Sequence, residues 1–132
     1  MLNLNQHRNS KIQGNVGVGI AIAWFMSAGY DVSIPVTDSQ DYDLVIGVDN
    51  HLSTVQVKTT YHQTTIGNYQ ANLRVVGGNR SGTGKVKHFD PNKVDYVFIV
   101  TDANEKYFIP SHEIENKRSI TLCDKYDRYL VS

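Results

Sequence analysis

Tyr42-Asp43-Leu44-Val45-Ile46 and Val55-Gln56-Val57-Lys58 are the two stretches that decide the fold. Side chains of an extended segment alternate between two faces. In the second stretch Val55 and Val57 therefore point into a core, while Gln56 and Lys58 share the other face. In the first, Tyr42, Leu44 and Ile46 form the apolar face and Asp43 stands opposite. The connection at Asp49-Asn50-His51 is short and polar, which predicts a hairpin. Only one parity of register sets Leu44 beside Val55 and Tyr42 beside Val57, because a slip by one residue would turn an apolar set into water. With a two- or four-residue loop, that parity sets Asp43 opposite Gln56, with Cβ atoms roughly 4.5–5.5 Å apart. Lys58 follows one step along, near Asp41.

The surrounding segments extend this hairpin into a sheet. Ser10-Lys11-Ile12-Gln13 matches a capping box, so a helix is expected from about Lys11 to Met26, with Gly29 as its C′ residue. The middle of this helix is apolar on nearly all sides and is expected to be buried against a sheet or a partner chain. Gly14, Gly17 and Gly19 each cost roughly 0.8–1 kcal/mol of helix propensity relative to Ala, which suggests close backbone approach or simple tight packing. Strands are expected at Asp31–Pro35, Asp41–Val48, Leu52–Thr60 and Tyr69–Val76. The apolar run Val94–Thr101 reads as a buried strand paired with Lys106–Ile109. Ser111–Ile114 suits a helical turn and Ile120–Leu122 a short final strand. The result is an α/β architecture, a mixed central sheet with one long buried N-terminal helix, in one domain spanning residues 1–132.

Composition narrows the setting. The chain has 132 residues, 40% of them hydrophobic, with 13 basic and 13 acidic side chains and zero formal net charge. That is enough apolar material for one core and argues against disorder. Balanced charge is unlike the basic excess common in nucleic-acid readers, although local clustering still builds positive faces. The single cysteine, Cys123, excludes an intramolecular disulfide and Cys-rich zinc sites. The polar start and the short apolar stretch Val16–Ala28 carry neither a signal peptide nor a membrane span, so an intracellular, cytoplasmic setting is expected.

Asp is disfavoured among apolar strand residues, and a carboxylate there needs pairing, water or a cation. A hard divalent ion takes oxygen ligands and retains waters. Asp43, the Gln56 amide oxygen and the Val57 carbonyl offer such a set. The plainer alternative is a strand-pair salt bridge between Asp43 and Lys58, which contributes little. The segment Gly77–Lys85 is the most loop-like in the chain. With Lys87 and His88 beyond it, and His7, Arg8 and Lys11 near the helix start, it supplies basic side chains suited to phosphate. An ordinary surface loop is the alternative reading. It lacks the Gly-Lys-Ser/Thr of a P-loop.

Gly29-Tyr30-Asp31-Val32-Ser33-Ile34-Pro35, followed by Tyr42-Asp43-Leu44 and Gln56-Val57-Lys58-Thr59, resembles the PD-(D/E)XK nuclease superfamily. Within it the likeness is nearest to small bacterial-type intron-encoded homing endonucleases and resolvase-like nucleases, where Gln often precedes X-Lys. The resemblance extends through Val94–Val100 and Tyr107–Pro110 to about Glu113. It implies a restriction-endonuclease-like fold and a DNA endonuclease using Mg²⁺ or Mn²⁺. Asp43, Gln56 and Lys58 would then be catalytic, and Asp43, Gln56 and Val57 would hold the metal. Lys58 occupies the family's position for orienting the attacking water and countering charge on the phosphate. Lys11, Asn15, Arg74, Arg80, Lys85 and Lys87 are the implied DNA contacts. Double-stranded or branched DNA would be the partner, with a homodimer or homotetramer serving two strands. The family's Gly-Glu-x-x-Glu helix motif is here Gly14-Asn15-Val16-Gly17-Val18, so both acids are replaced, at Asn15 and Val18. Asp38 and Asp41 are the nearby acids that would compensate. A DNA-binding protein on a nuclease scaffold without catalysis, and a structural protein without DNA affinity, are the rival readings.

Overall fold

The computed structural model describes residues 1–7, 9–76 and 86–132. Helix α1 spans Ser10–Ser27. Its N-cap is Asn9, whose side chain accepts the Lys11 N–H at 2.8 Å. Asparagine just before the helix wins the cap that Ser10 was expected to hold, so the expected capping box is not formed. Gln13 instead donates Nε2 to the carbonyls of Leu4 and His7, at 2.9 and 3.1 Å, and pins a preceding 3₁₀ turn, Leu4–Gln6, to the helix. The helix ends as expected. Gly29 takes φ 95°. Its N–H bonds Met26, the Tyr30 N–H bonds Phe25, and the Phe25 and Tyr30 rings meet edge-on at 5.4 Å. Those bonds and that contact make a Schellman cap.

The main sheet has six strands in the order β1-β2-β3-β7-β8-β10. They are β1 (Asp31–Ser33), β2 (Leu44–Val48), β3 (His51–Thr60), β7 (Tyr96–Thr101), β8 (Lys106–Pro110) and β10 (Leu130–Val131). Only β3 and β7 run parallel. Strands β2 and β3 pair with Leu44 opposite Val55, the register that the apolar pattern requires. Asp49 and Asn50 turn the corner with φ of 51° and 66°, the left-handed pair of a two-residue type I′ turn.

The expected strand Tyr69–Val76 breaks in two. β4 (Gln70–Asn72) pairs with β9 (Ser119–Thr121), and β5 (Val75–Val76) pairs with β6 (Val86–Lys87). The break falls where the Asn72 side chain takes the Arg74 N–H, while the Leu73 N–H is donated to Arg118. The 3₁₀ segment Asp124–Tyr129 and edge strand β10 carry no strong periodic signal and were not expected from sequence.

Two apolar layers cover the main sheet. One holds Ala21, Phe25, Leu44, Ile46, Val55, Val57, Phe98 and Val100, on the helix side. The other holds Ala71, Leu73, Val97, Ile99, Ile109 and Ile120, beneath the β4–β9 pair. The helix buries one stripe, Gly17, Ala21 and Phe25. Ile12 and Met26 remain 46% and 58% exposed, so the apolar circumference does not translate into burial all round. Gly17 sits where the helix crosses β3, and a Cβ there would come within 2.1 Å of Thr59 Cγ2. Gly14 and Gly19 have open space at the corresponding position. Tyr42 departs from expectation: it lies ahead of β2 and packs in the layer opposite the helix.

Candidate active site

The β2–β3 ladder stops at Leu44–Val55, and Asp43 is the first residue beyond it. Its N–H still reaches the Val55 carbonyl at 2.9 Å. The Val57 N–H, left without a main-chain partner by the end of the ladder, is taken by Asp43 Oδ2 at 2.8 Å. One carboxylate oxygen therefore fixes the side chain against the edge of β3, which leaves Oδ1 for other chemistry. The N–H and C=O of a strand residue leave the same edge, so the Val57 carbonyl also opens toward Asp43.

Gln56 and Lys58 flank Val57 and share the face of Val97 and Ile99, opposite the helix. Gln56 is 8% exposed, and its Oε1 is buried without a hydrogen-bond partner. Such an acceptor costs about 1–3 kcal/mol unless something fills its coordination. Lys58 does not pair directly with Asp43. Its Nζ donates to the Arg74 carbonyl at 2.9 Å, so the simple salt-bridge reading does not describe this pair. They still interact: burial pushes the Asp43 carboxyl above its ordinary 3.8, against the pull of the Val57 N–H and the Lys58 charge. Burial likewise lowers Lys58 from its ordinary 10.5, and the Asp43 charge partly restores it.

Among the described residues, no group of three or more His, Cys, Asp or Glu side chains is gathered for a metal. A divalent cation here would rest on one carboxylate, neutral oxygens and water. Asp43 Oδ1, the orphaned Gln56 Oε1 and the Val57 carbonyl are all hard oxygen donors and fit such an ion.

The remaining sequence candidates are scattered. Arg74 lies beside Lys58 and lines a cleft next to the site. Lys11 and Asn15 are exposed on the first turns of α1 but do not line that cleft, where Gln13 stands instead. Lys87 is exposed in β6. Arg80, Lys85, Arg8 and the glycine-rich segment 77–85 lie outside the described residues. Sequence reasoning missed Arg118, His62 and Asn72, which also line the cleft. The only signal for Arg118 is its neighbour's pairing with β4, a contact between segments far apart in the chain.

A mixed central sheet backed by one long helix is the architecture of restriction-endonuclease-like proteins. The family model described as PD-(D/E)XK endonuclease matches residues 8–127. The chain belongs to that family. The solved structure of a bacterial homing endonuclease, I-Ssp6803I, is similar at a TM-score of 0.70 and 23% identity, over 91% of this chain and 82% of that one. MepB is a looser likeness, with a TM-score of 0.45 and 14% identity over 86% of this chain and 95% of that one. No curated protein sequence matches the chain. No helix among the described residues is long and apolar enough to cross a membrane.

Proposed function

We propose that this protein is a divalent-metal-dependent DNA endonuclease, cutting double-stranded DNA in the manner of a homing endonuclease. The observation that carries the reading is the Gln56 Oε1, buried and unpartnered, on the residue next to Val57, whose N–H holds one oxygen of the Asp43 carboxylate. Asp43, Gln56 and the Val57 carbonyl would hold Mg²⁺ or Mn²⁺. Such an ion, when bound, polarises a phosphate and acidifies its attacking water.

The rest falls to the protein's own groups. The Val57 N–H fixes Asp43 in one orientation, so no rearrangement of that side chain is needed during reaction. Lys58, held by the Arg74 carbonyl, orients the water and offsets negative charge developing on the phosphate. Arg74, with Lys11, Asn15, Arg80, Lys85 and Lys87, supplies contacts to the DNA backbone. One site cuts one strand, so double-strand cleavage calls for a symmetric homodimer or homotetramer.

A second reading is a DNA-binding protein on the same scaffold without catalysis. It is favoured by Asn15 and Val18 standing where the family carries glutamates. Supercoiled plasmid incubated with Mg²⁺, Mn²⁺ or EDTA separates the two. Metal-dependent nicking that disappears in Asp43→Ala supports the enzyme, and retarded but uncut DNA supports the binder.

A further inference from the structure

The β4 strand is slung across the face of β3 that carries Gln56 and Lys58. Two side chains of β3 clasp this segment, one at the start of β4 and one just past its end: Thr60 Oγ1 donates to the Gln70 carbonyl and Lys58 Nζ to the Arg74 carbonyl. Next to this strap opens a cleft of about 810 Å³ whose wall includes Tyr61, His62, Asn72, Arg74, His88 and Arg118. Neither Asp nor Glu is among the described residues lining it. Arg74 and Arg118 take part in no ion pair among the described residues, whereas Arg128 and Lys125 elsewhere find Glu113 and Glu115.

Both arginines are placed by the fold. The Arg74 N–H and Nε both donate to Asn72 Oδ1, at 2.8 and 3.4 Å, which holds the guanidinium by one edge and leaves its terminal nitrogens uncommitted. Arg118 arrives with β9: Ser119 pairs with Asn72, and the Arg118 carbonyl accepts the Leu73 N–H at 2.9 Å. Two guanidinium groups in one cleft without a counter-charge repel each other until an anion enters. Their planar donor forks match the oxygens of a phosphate diester.

We propose that Arg74 and Arg118 clamp a backbone phosphate one or two nucleotides from the scissile one, with Asn72 as the positioning residue for Arg74. The proposal rests on the endonuclease reading above and adds the site that sets the register of the strand. The carbonyl of Arg74 also fixes Lys58, so the segment that captures this phosphate is the one that places the lysine.

The test measures binding of a fluorescent random-sequence duplex to the full chain in EDTA, across a salt series. Each phosphate contact adds about 0.9 to the slope of log K against log salt. Arg74→Ala and Arg118→Ala are expected each to lower the slope by about one and to weaken binding several-fold at low salt. Arg74→Ala leaves the main-chain acceptor of Lys58 in place, so the loss reports the guanidinium. Arg118→Lys is expected to restore the slope but not the full affinity, since an ammonium keeps the charge and loses the fork. Asn72→Ala is expected to weaken the wild type and to have no further effect in the Arg74→Ala background. Arg128→Ala, outside the cleft, is the control. A wild type that binds with a slope unchanged by both cleft substitutions overturns the clamp alone. A wild type with no salt-dependent affinity for DNA overturns the endonuclease reading and the clamp with it.

Discussion

Replacing Gln56 with leucine is expected to make the metal-free protein more stable and the metal-loaded protein less so. Gln56 is 8% exposed, and its Oε1 has no hydrogen-bond partner. Leucine is comparable in length, somewhat larger in volume, and carries no acceptor to desolvate. Relief of an orphaned acceptor is worth about 1–3 kcal/mol; allowing for imperfect packing, a gain of about 1–2 kcal/mol in EDTA is expected. For a chain of 132 residues, this corresponds to a rise in Tm of about 4–8 °C. Divalent metal at a hundred times its dissociation constant stabilises the wild type by about 2.7 kcal/mol. The leucine variant lacks a ligand and gains less, so the order of the two Tm values reverses. Thermal unfolding followed by circular dichroism, in EDTA and then in Mg²⁺, reads both halves. A variant less stable than wild type in EDTA would refute the idea of an uncompensated acceptor. Equal metal-induced shifts in the two proteins would refute its role as a ligand.

The other expectations concern charge and packing. Burial holds the Asp43 carboxyl above its unfolded value, so its charge destabilises the fold above that raised pKa and costs nothing once pH falls below the unfolded value. Asp43→Asn should therefore raise stability in EDTA at pH 7, with the gain fading in acid; a gain that persists undiminished below pH 3.8 would contradict this. Lys58 has the opposite sign: its pKa is lowered by burial, so its charge costs stability at neutral pH and that cost vanishes as pH rises to 10.5. Lys58→Met, which also gives up the bond to the Arg74 carbonyl, should compare more favourably with the wild type at pH 7 than at pH 10.5. Gly17→Ala should destabilise by about 1–2 kcal/mol as its methyl meets Thr59, whereas Gly14→Ala and Gly19→Ala, with open space, should each stabilise by about 0.5–1 kcal/mol. Urea melts of the three variants check the signs, and a stabilising Gly17→Ala would mean the helix does not cross β3 this closely. Asn9→Ala should cost about 1 kcal/mol by removing the acceptor for the Lys11 N–H, and an unchanged urea midpoint would deny it that role.

The β2–β3 hairpin was legible because three local signals agree. Alternation, a turn pair able to take positive φ, and the parity of the apolar residues select the same register. The helix stop was equally plain from Gly29. What stayed hidden depends on contacts between segments distant in sequence. Tyr42 looked like the next member of the Leu44 face, but the ladder ends before it and the Asp43 carboxylate replaces a main-chain acceptor. The split between β4 and β5 comes from Asn72 competing for the Arg74 N–H, a local bond that strand propensity does not reveal. Arg118 enters the cleft only because β9 pairs with β4. Alternation along the sequence put Gln56 and Lys58 on one face of β3, the face of Val97 and Ile99, while the bond from the Val57 N–H to Asp43 and the link from Lys58 to the Arg74 carbonyl required the fold.

Plasmid cleavage by the purified protein tests the central claim most directly. With Mg²⁺ or Mn²⁺, the wild type should nick or linearise supercoiled DNA, and EDTA should abolish the reaction. Asp43→Ala and Lys58→Ala should cut at least about a hundred-fold more slowly, as expected when a preorganised electrostatic group is removed, while still retarding the same DNA. Cleavage that proceeds equally well in EDTA, or that survives both substitutions at the wild-type rate, would contradict the assignment of catalysis to this strand junction.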